Sequence, residues 1–381
     1  AGAKWGGMPG GSGGRPPWHL RPTQPGRVER PGEVAREPYR NSGISGMASR
    51  LLTTDEIDAL VDRESFGSET GKLIPELASL GSEAELDPAF LESALLLALL
   101  EEFAVLSRST HGDARQLLIH WIRRFELANL KTLIRSKVTG RPAAVIRDEL
   151  VQLGSFATLP LDRLTAAEDL PELLRQLEAT PYRSIVYQAR LAFEEHEELF
   201  ILDATLDQRY FSVLGQKLRS FSGEERRWLE RLVGTYIDHV NLVWLLRYRF
   251  AYGLPPAQAY YLLASGGHRI VARDWLSLAE KQSLAALIAA LPQPLATLLE
   301  GASTISEISR RLERETMAVA QTVLQYGFFS LARALTYLLL RELQIQQLLA
   351  VLKGRRMRIN RELIRFAAGF EALPAEGPPH V

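Results

Sequence analysis

An all-helical fold is what this sequence predicts, and three observations predict it. Leucines and aromatics recur at three- and four-residue spacing over long stretches, with charges between them. Helix-starting and helix-ending residues punctuate those stretches. Alternating apolar and polar runs, the mark of half-buried strands, are nearly absent.

The elements follow in chain order. Residues 1–38 are crowded with Gly, Pro and Arg, including Gly10-Gly11-Ser12-Gly13-Gly14 and Pro16-Pro17. Such a stretch buries too little apolar surface to offset its ordering entropy, so it is expected to be a disordered, non-native leader. It has no apolar core of a secretory signal. Helix starts are expected at Thr53-x-x-Glu56 and Ser222-x-x-Glu225, both capping boxes, and at Asp87-Pro88, an N-cap before a proline. Long amphipathic helices are expected within Tyr182 to Leu214, Glu224 to Tyr252 and Ile305 to Leu352. Breaks fall at Gly140-Arg141-Pro142, Thr180-Pro181, Gly253-Leu254-Pro255-Pro256, Gly266-Gly267 and Pro292-Gln293-Pro294. These are turn chemistries and not long linkers, which favours one continuous helical array.

Composition excludes several functions. The chain has 381 residues with 45 basic and 45 acidic side chains, so no net field favours nucleic acid or an anionic surface. It has no cysteine, which removes disulfides, thiolate metal sites and cysteine nucleophiles. Apolar runs such as Ala94 to Leu100 and Leu331 to Leu340 fall short of the roughly 20 residues a bilayer span requires. A reducing, cytoplasmic compartment fits these facts.

A weak threefold repeat carries the architecture. The first copy reads Glu126-Leu-Ala-Asn129-Leu130-Lys-Thr-Leu-Ile-Arg135-Ser-Lys137. The second reads Asp238-His-Val-Asn241-Leu242-Val-Trp-Leu-Leu-Arg247-Tyr-Arg249. An acid, an Asn-Leu pair and two basic residues recur at the same offsets. In the third copy, Gln344 and Gln347 replace acid and Asn, while Leu348, Lys353 and Arg355 keep the rest. The middle position recurs after 241 minus 129, or 112, residues and again after 347 minus 241, or 106. Three units follow: 39–160 with the N-terminal helices, 161–270 and 271–381. Gly140 and Gly253 end the first two motif helices. The third lacks a nearby proline, and its exit is expected to use Asn360 as a left-handed cap.

At about 100° per residue, the acid, the Asn and the second basic residue share one helix side, and the first basic residue points elsewhere. The acid and the second basic residue lie about 16 Å apart along the axis, too far to pair, so their partners come from other segments. A plain structural role explains each. The acid and the Asn make a buried polar contact that fixes helix register, the amide satisfying a backbone group of a neighbouring helix, and the basic residues sit in the last turns, where positive charge suits the helix dipole.

Together with these motifs, Tyr39-Arg-Asn41 to Met47-Ala-Ser-Arg50-Leu51-Leu52, Leu202-Asp203-Ala-Thr-Leu206-Asp207-Gln-Arg209-Tyr210-Phe211 and the Tyr-rich helix before Gly266-Gly267 resemble one family over most of the chain. That family comprises the C subunits of V/A-type rotary ATPases and ATP synthases and their eukaryotic counterparts, the d subunits. The resemblance implies a funnel of three pseudo-symmetric helical lobes and no catalysis or cofactor. It also implies a peripheral seat on the membrane rotor ring of proteolipid subunits, with the central axle subunits received in the funnel. Glu126, Asn129, Arg135, Lys137, Asp238, Asn241, Arg247, Arg249, Lys353 and Arg355 are the positions carried over, with an architectural role. A generic helical scaffold is the alternative.

Enzyme signatures fail residue by residue. Gly67-Ser-Glu-Thr-Gly71-Lys72-Leu73 is one residue short of a phosphate loop and lacks its Ser or Thr. Around Glu194-Glu195-His196-Glu197-Glu198, Phe193 and Phe200 occupy the positions where metal-binding pairs would need a ligand. His19, His111, His120, His239, His268 and His380 share no metal or triad spacing.

Overall fold

The computed structural model describes residues 43–62, 88–196, 199–328 and 330–370, and these contain helices and turns with no strand among them. The leader, Asp87 and the Gly67–Leu73 segment lie outside the described residues, as do the side chains of Glu194 to Glu198.

A helical turn at 43–48 leads to α1 (Thr54–Asp62), then α2 (Pro88–Arg108), α3 (Gly112–Thr139), α4 (Ala143–Glu149), α5 (Leu161–Ala166) and α6 (Leu170–Leu177). The middle of the chain forms α7 (Arg183–His196), α8 (Leu199–Lys217), α9 (Gly223–Leu229) and α10 (Thr235–Leu246). Two π-helical stretches, Glu230–Gly234 and Arg247–Ala251, flank α10. The short helices α11 (Pro256–Tyr261), α12 (Ala272–Ala279), α13 (Leu284–Ala289) and α14 (Leu295–Leu299) follow. The long pair α15 (Ile305–Tyr326) and α16 (Leu331–Arg356) and the short α17 (Arg361–Ala367) end the described chain.

Apolar spacing explains the packing. Along α15, Ile308, Leu312, Val319, Ala320 and Val323 are buried, one stripe at helical period. Helix α16 is buried nearly all round through Leu331 to Leu340, as a helix enclosed by several neighbours must be. It packs on α2, α15 and α17, while α3 packs on α8 and α10 on α15. Most buried apolar side chains belong to one core running from Ile44 and Leu60 through Leu130 and Leu214 to Leu348 and Ile364. A second core gathers Leu242, Leu263, Trp275, Leu287 and Leu312 around α11–α14.

Among the described helix termini, the cap expected at Thr53 forms and the two expected at Ser222 and Asn360 do not. Thr53 and Glu56 form the expected capping box, with the Glu56 carboxylate on the Thr53 N–H at 2.7 Å and the Glu56 N–H on Thr53 Oγ1 at 3.2 Å. Ser222, by contrast, makes no side-chain cap. Its expected partner Glu225 instead accepts the Leu331 N–H at 2.9 Å, placing a carboxylate on the free amides that open α16. The second departure is the exit of α16. Asn360 is not the left-handed cap; its φ is −53° and it caps the start of α17. Arg358 takes the left-handed conformation with φ 53°, the counterpart of Gly140 at 66° and Gly253 at 70°. Gly354 lies inside α16, where an added Cβ would come within 2.6 Å of Ile364 Cγ1, so it serves the close approach of α17.

The π-helix over Arg247–Ala251 has a visible effect on spacing. From Asn129 to Gly140 is 140 minus 129, or 11 residues; from Asn241 to Gly253 is 253 minus 241, or 12. A π turn holds one more residue than an α turn, which accommodates the extra position without moving the left-handed exit.

Candidate functional site

The motif residues of α3 fasten the segment that follows it. Asn129 is buried, donates to the Val151 carbonyl at 2.7 Å and accepts the Val151 N–H at 2.8 Å. One amide side chain thus satisfies both backbone groups of one residue, a match that an ionised carboxylate, which only accepts, cannot make. Glu126, also buried, accepts the N–H of Thr158 and, at 2.6 Å, that of Leu159. Its second oxygen takes the hydroxyls of Thr158 and Tyr182, both at 2.7 Å. Lys137 donates to the Thr165 carbonyl at 2.7 Å, at the far end of α5. Arg135 points away and pairs with Asp203 on α8.

The same arrangement recurs on α10. Asn241, 0% exposed, donates to the Ala264 carbonyl and accepts the Ala264 N–H, both at 2.8 Å. One oxygen of buried Asp238 accepts the N–H of His268 at 2.8 Å and of Arg269 at 2.6 Å. Arg249 donates to the carbonyls of Ala279 at 2.6 Å and Leu254 at 2.5 Å. Arg247 is exposed. Asp238 differs from Glu126 in one respect: its Oδ1 is buried without a hydrogen-bond partner. Gly267 lies against that oxygen so closely that any Cβ there would overlap it. Burial pushes the Asp238 carboxyl up to about 6 despite the backbone amides that favour its ionised form.

In α16 the chemistry changes with the residues. Gln347 donates to the Ala368 carbonyl at 3.2 Å, and Gln344 to the Leu52 carbonyl at 3.0 Å. Arg355 donates to the Leu60 carbonyl at 2.8 Å, and Lys353 pairs with Glu92 on α2 at 2.6 Å. The ten motif residues therefore do not converge. They form three separate sets, each fastening a helix to the backbone of other segments. Tyr182, Leu52 and Leu60 belong to these sets and lack any local motif, since each meets its partner across a long stretch of chain.

A further buried cluster lies beside the α10 set. His239 meets Thr316 Oγ1 at 2.5 Å and Glu315 Oε2 at 3.0 Å, and Glu315 also pairs with Arg269. Burial works to raise the Glu315 carboxyl, but His239 and Arg269 hold it below the usual range. Burial lowers His120 to about 4, with its Nε2 against the Tyr210 carbonyl at 3.0 Å. In these sets most of the acids, amides and bases are engaged with backbone groups or with each other. A cavity of about 430 Å³ between α13 and α14 is lined mainly by small apolar residues, including Ala285, Ala289 and Ala296. Among the described residues, no three His, Asp or Glu side chains gather as metal ligands, and no helix is long and apolar enough to cross a membrane.

Fold and site together define a helical framework protein whose polar interior holds backbone in place. A family model for the ATP synthase (C/AC39) subunit matches residues 41–366. The C subunit of the A-type ATP synthase of Methanocaldococcus jannaschii is 23% identical over 352 residues, covering 87% of this chain and 86% of that one. The corresponding C subunit of Pyrococcus furiosus is 25% identical, covering 87% and 90%. That of Thermococcus gammatolerans is 30% identical, covering 60% and 61%. The chain belongs to the ATP synthase (C/AC39) subunit family.

Proposed function

We propose that this chain is the coupling socket in the central stalk of an A/V-type rotary ATPase, an accessory and non-catalytic component. In this reading, residues 39–160, 161–270 and 271–381 form three related lobes arranged as a funnel. The funnel rests peripherally on the cytoplasmic side of the membrane rotor ring, receives the axle of the ATPase head, and carries torque between them as ions cross.

The observation that carries the reading is the recurrence of one fastening. Asn129 on Val151 and Asn241 on Ala264 make the same two bonds 112 residues apart (241 minus 129), and Gln347 on Ala368 makes half of them. Family membership supports a place in the ATPase, and the fastenings support a mechanical part within it. A torque-bearing piece must resist deformation. Side chains that tie each long helix to the backbone of the next segment supply that stiffness, because shear would strip buried polar groups of their partners at several kcal/mol in all, with about 1–3 for each group. The ten motif residues have the architectural role in this reading.

The test is a pull-down of the tagged chain from detergent-solubilised membranes. The proteolipid ring subunits and an axle subunit are expected as companions. Recovery of an unrelated set of proteins, without either, overturns the reading.

A further inference from the structure

The three fastenings can be read in order along the chain. In the first, α4 is followed by Val151, held by Asn129; then by Thr158 and Leu159, held by Glu126; then by α5, whose Thr165 is held by Lys137. In the second, α11 is followed by Ala264, held by Asn241; then by His268 and Arg269, held by Asp238; then by α12, whose Ala279 is held by Arg249. In the third, α17 is followed by Ala368, held by Gln347. The next two positions are then taken from the opposite end of the molecule. Gln344 holds Leu52, and Arg355 holds Leu60 within α1.

The contact points keep their order and their distance from the short helix. Leu159 lies two residues before α5, Arg269 three before α12 and Leu52 two before α1. From these correspondences we infer that α1 stands to the third set of fastenings as α5 and α12 stand to the first two, each lying outside the bounds of the lobe whose motif helix holds it. The N-terminal segment 43–62 is thus a strap that closes the array non-covalently, at the one joint where the other two units have continuous chain. The inference stands on the hydrogen bonds alone and is independent of the coupling role.

The composition of the joint says how it opens. Ile44, Met47, Ile57, Leu60 and Val61 are buried in the shared core. At the rim, Arg365 holds Asp58 at 2.8 Å and also Asp62, Arg361 meets Asp62 at 3.4 Å, and Arg333 donates to Ser45 Oγ at 3.0 Å. The Asp62 and Arg361 side chains are 50% and 64% exposed, so salt screens that contact. No backbone hydrogen bond ties α1 to α16 or α17 among those described. The strap therefore leaves as a cooperative unit, ahead of its chain-anchored counterparts α5 and α12.

Hydrogen exchange on the full chain tests this, comparing wild type with the Asp58→Asn, Asp62→Asn double variant. Amides of 54–62 are expected to exchange at least tenfold faster in the variant, and in wild type to speed with salt, while 161–166 and 272–279 keep their wild-type rates. A cross-linking arm uses the absence of native cysteine: a short bis-maleimide joining Asp62→Cys to Arg361→Cys is expected to slow 54–62 to the level of 161–166. Equal acceleration in all three helices, no acceleration in α1, or a cross-link without effect would each overturn the strap.

Discussion

Asn129 holds Val151 by both of that residue's backbone polar groups, and Asn241 holds Ala264 in the same way 112 residues later (241 minus 129). Leucine has similar bulk but no polar atom, so Asn241→Leu leaves a buried N–H and a buried carbonyl unsatisfied. The expected cost is about 2–4 kcal/mol, read as a lower midpoint in urea. Gln347→Leu loses a single bond of 3.2 Å at a half-buried position and is expected to cost about 1 kcal/mol or less. Equal losses from the two variants would show that the two-bond arrangement has no special weight.

Asp238 gives the fold a pH dependence. Burial pushes its carboxyl up to about 6 in the folded chain, above the ordinary carboxylate value of about 3.9. The folded chain thus holds this proton more tightly than the unfolded chain does. That contribution to stability is full below the ordinary value and is lost as pH rises through about 6. Asp238→Asn keeps an acceptor for the His268 and Arg269 amides and removes the charge. The variant is expected to exceed wild type by on the order of 2 kcal/mol at pH 7 and to match it near pH 4. Thermal melts at the two pH values measure this, and a difference independent of pH would refute the assignment.

Arg358 occupies a left-handed conformation that costs a side chain with a Cβ about 1–2 kcal/mol. Glycine removes that strain but adds freedom to the unfolded chain, so Arg358→Gly is expected to stabilise by about 0.5–1 kcal/mol. The equivalent exits already carry Gly140 and Gly253. A destabilised Arg358→Gly would mean that the arginine side chain contributes more than its backbone costs.

Gly267 faces the orphan oxygen of Asp238 with no room for a methyl group. Gly267→Ala is expected to cost about 2 kcal/mol or more, through displacement of the loop that Asp238 holds. In an amide exchange experiment, the His268 and Arg269 amides lose protection while those of Thr158 and Leu159 keep theirs.

The helical class is legible in the sequence because periodicity and punctuation act locally: the Gly140 and Gly253 exits and the Thr53 cap all lie within a turn or two of the residues that demand them. The motif positions are visible as a pattern, and in the first two copies the acid, the Asn and the second base, which share one face, all contact the segment that follows. Partners are not. Glu225 has the spacing of a local cap because Ser222 stands three residues before it, yet the open amides of Leu331 and Ala332, more than 100 residues away, hold it. Asn360 is the better left-handed former by residue type, but the helix runs on to Arg356 and puts Arg358 at the turn. The bond from Arg355 to Leu60 spans 295 residues of chain, and no residue near either one signals it.

Ion uptake and ATP hydrolysis, measured together in membrane vesicles stripped of this chain and then resupplied with it, test the coupling role most directly. The stripped vesicles are expected to hydrolyse ATP without driving ions, and resupply is expected to restore uptake, with Asn241→Leu restoring it poorly. Ion uptake that continues undiminished without the chain, or hydrolysis by the purified chain alone, would contradict a mechanical coupling part.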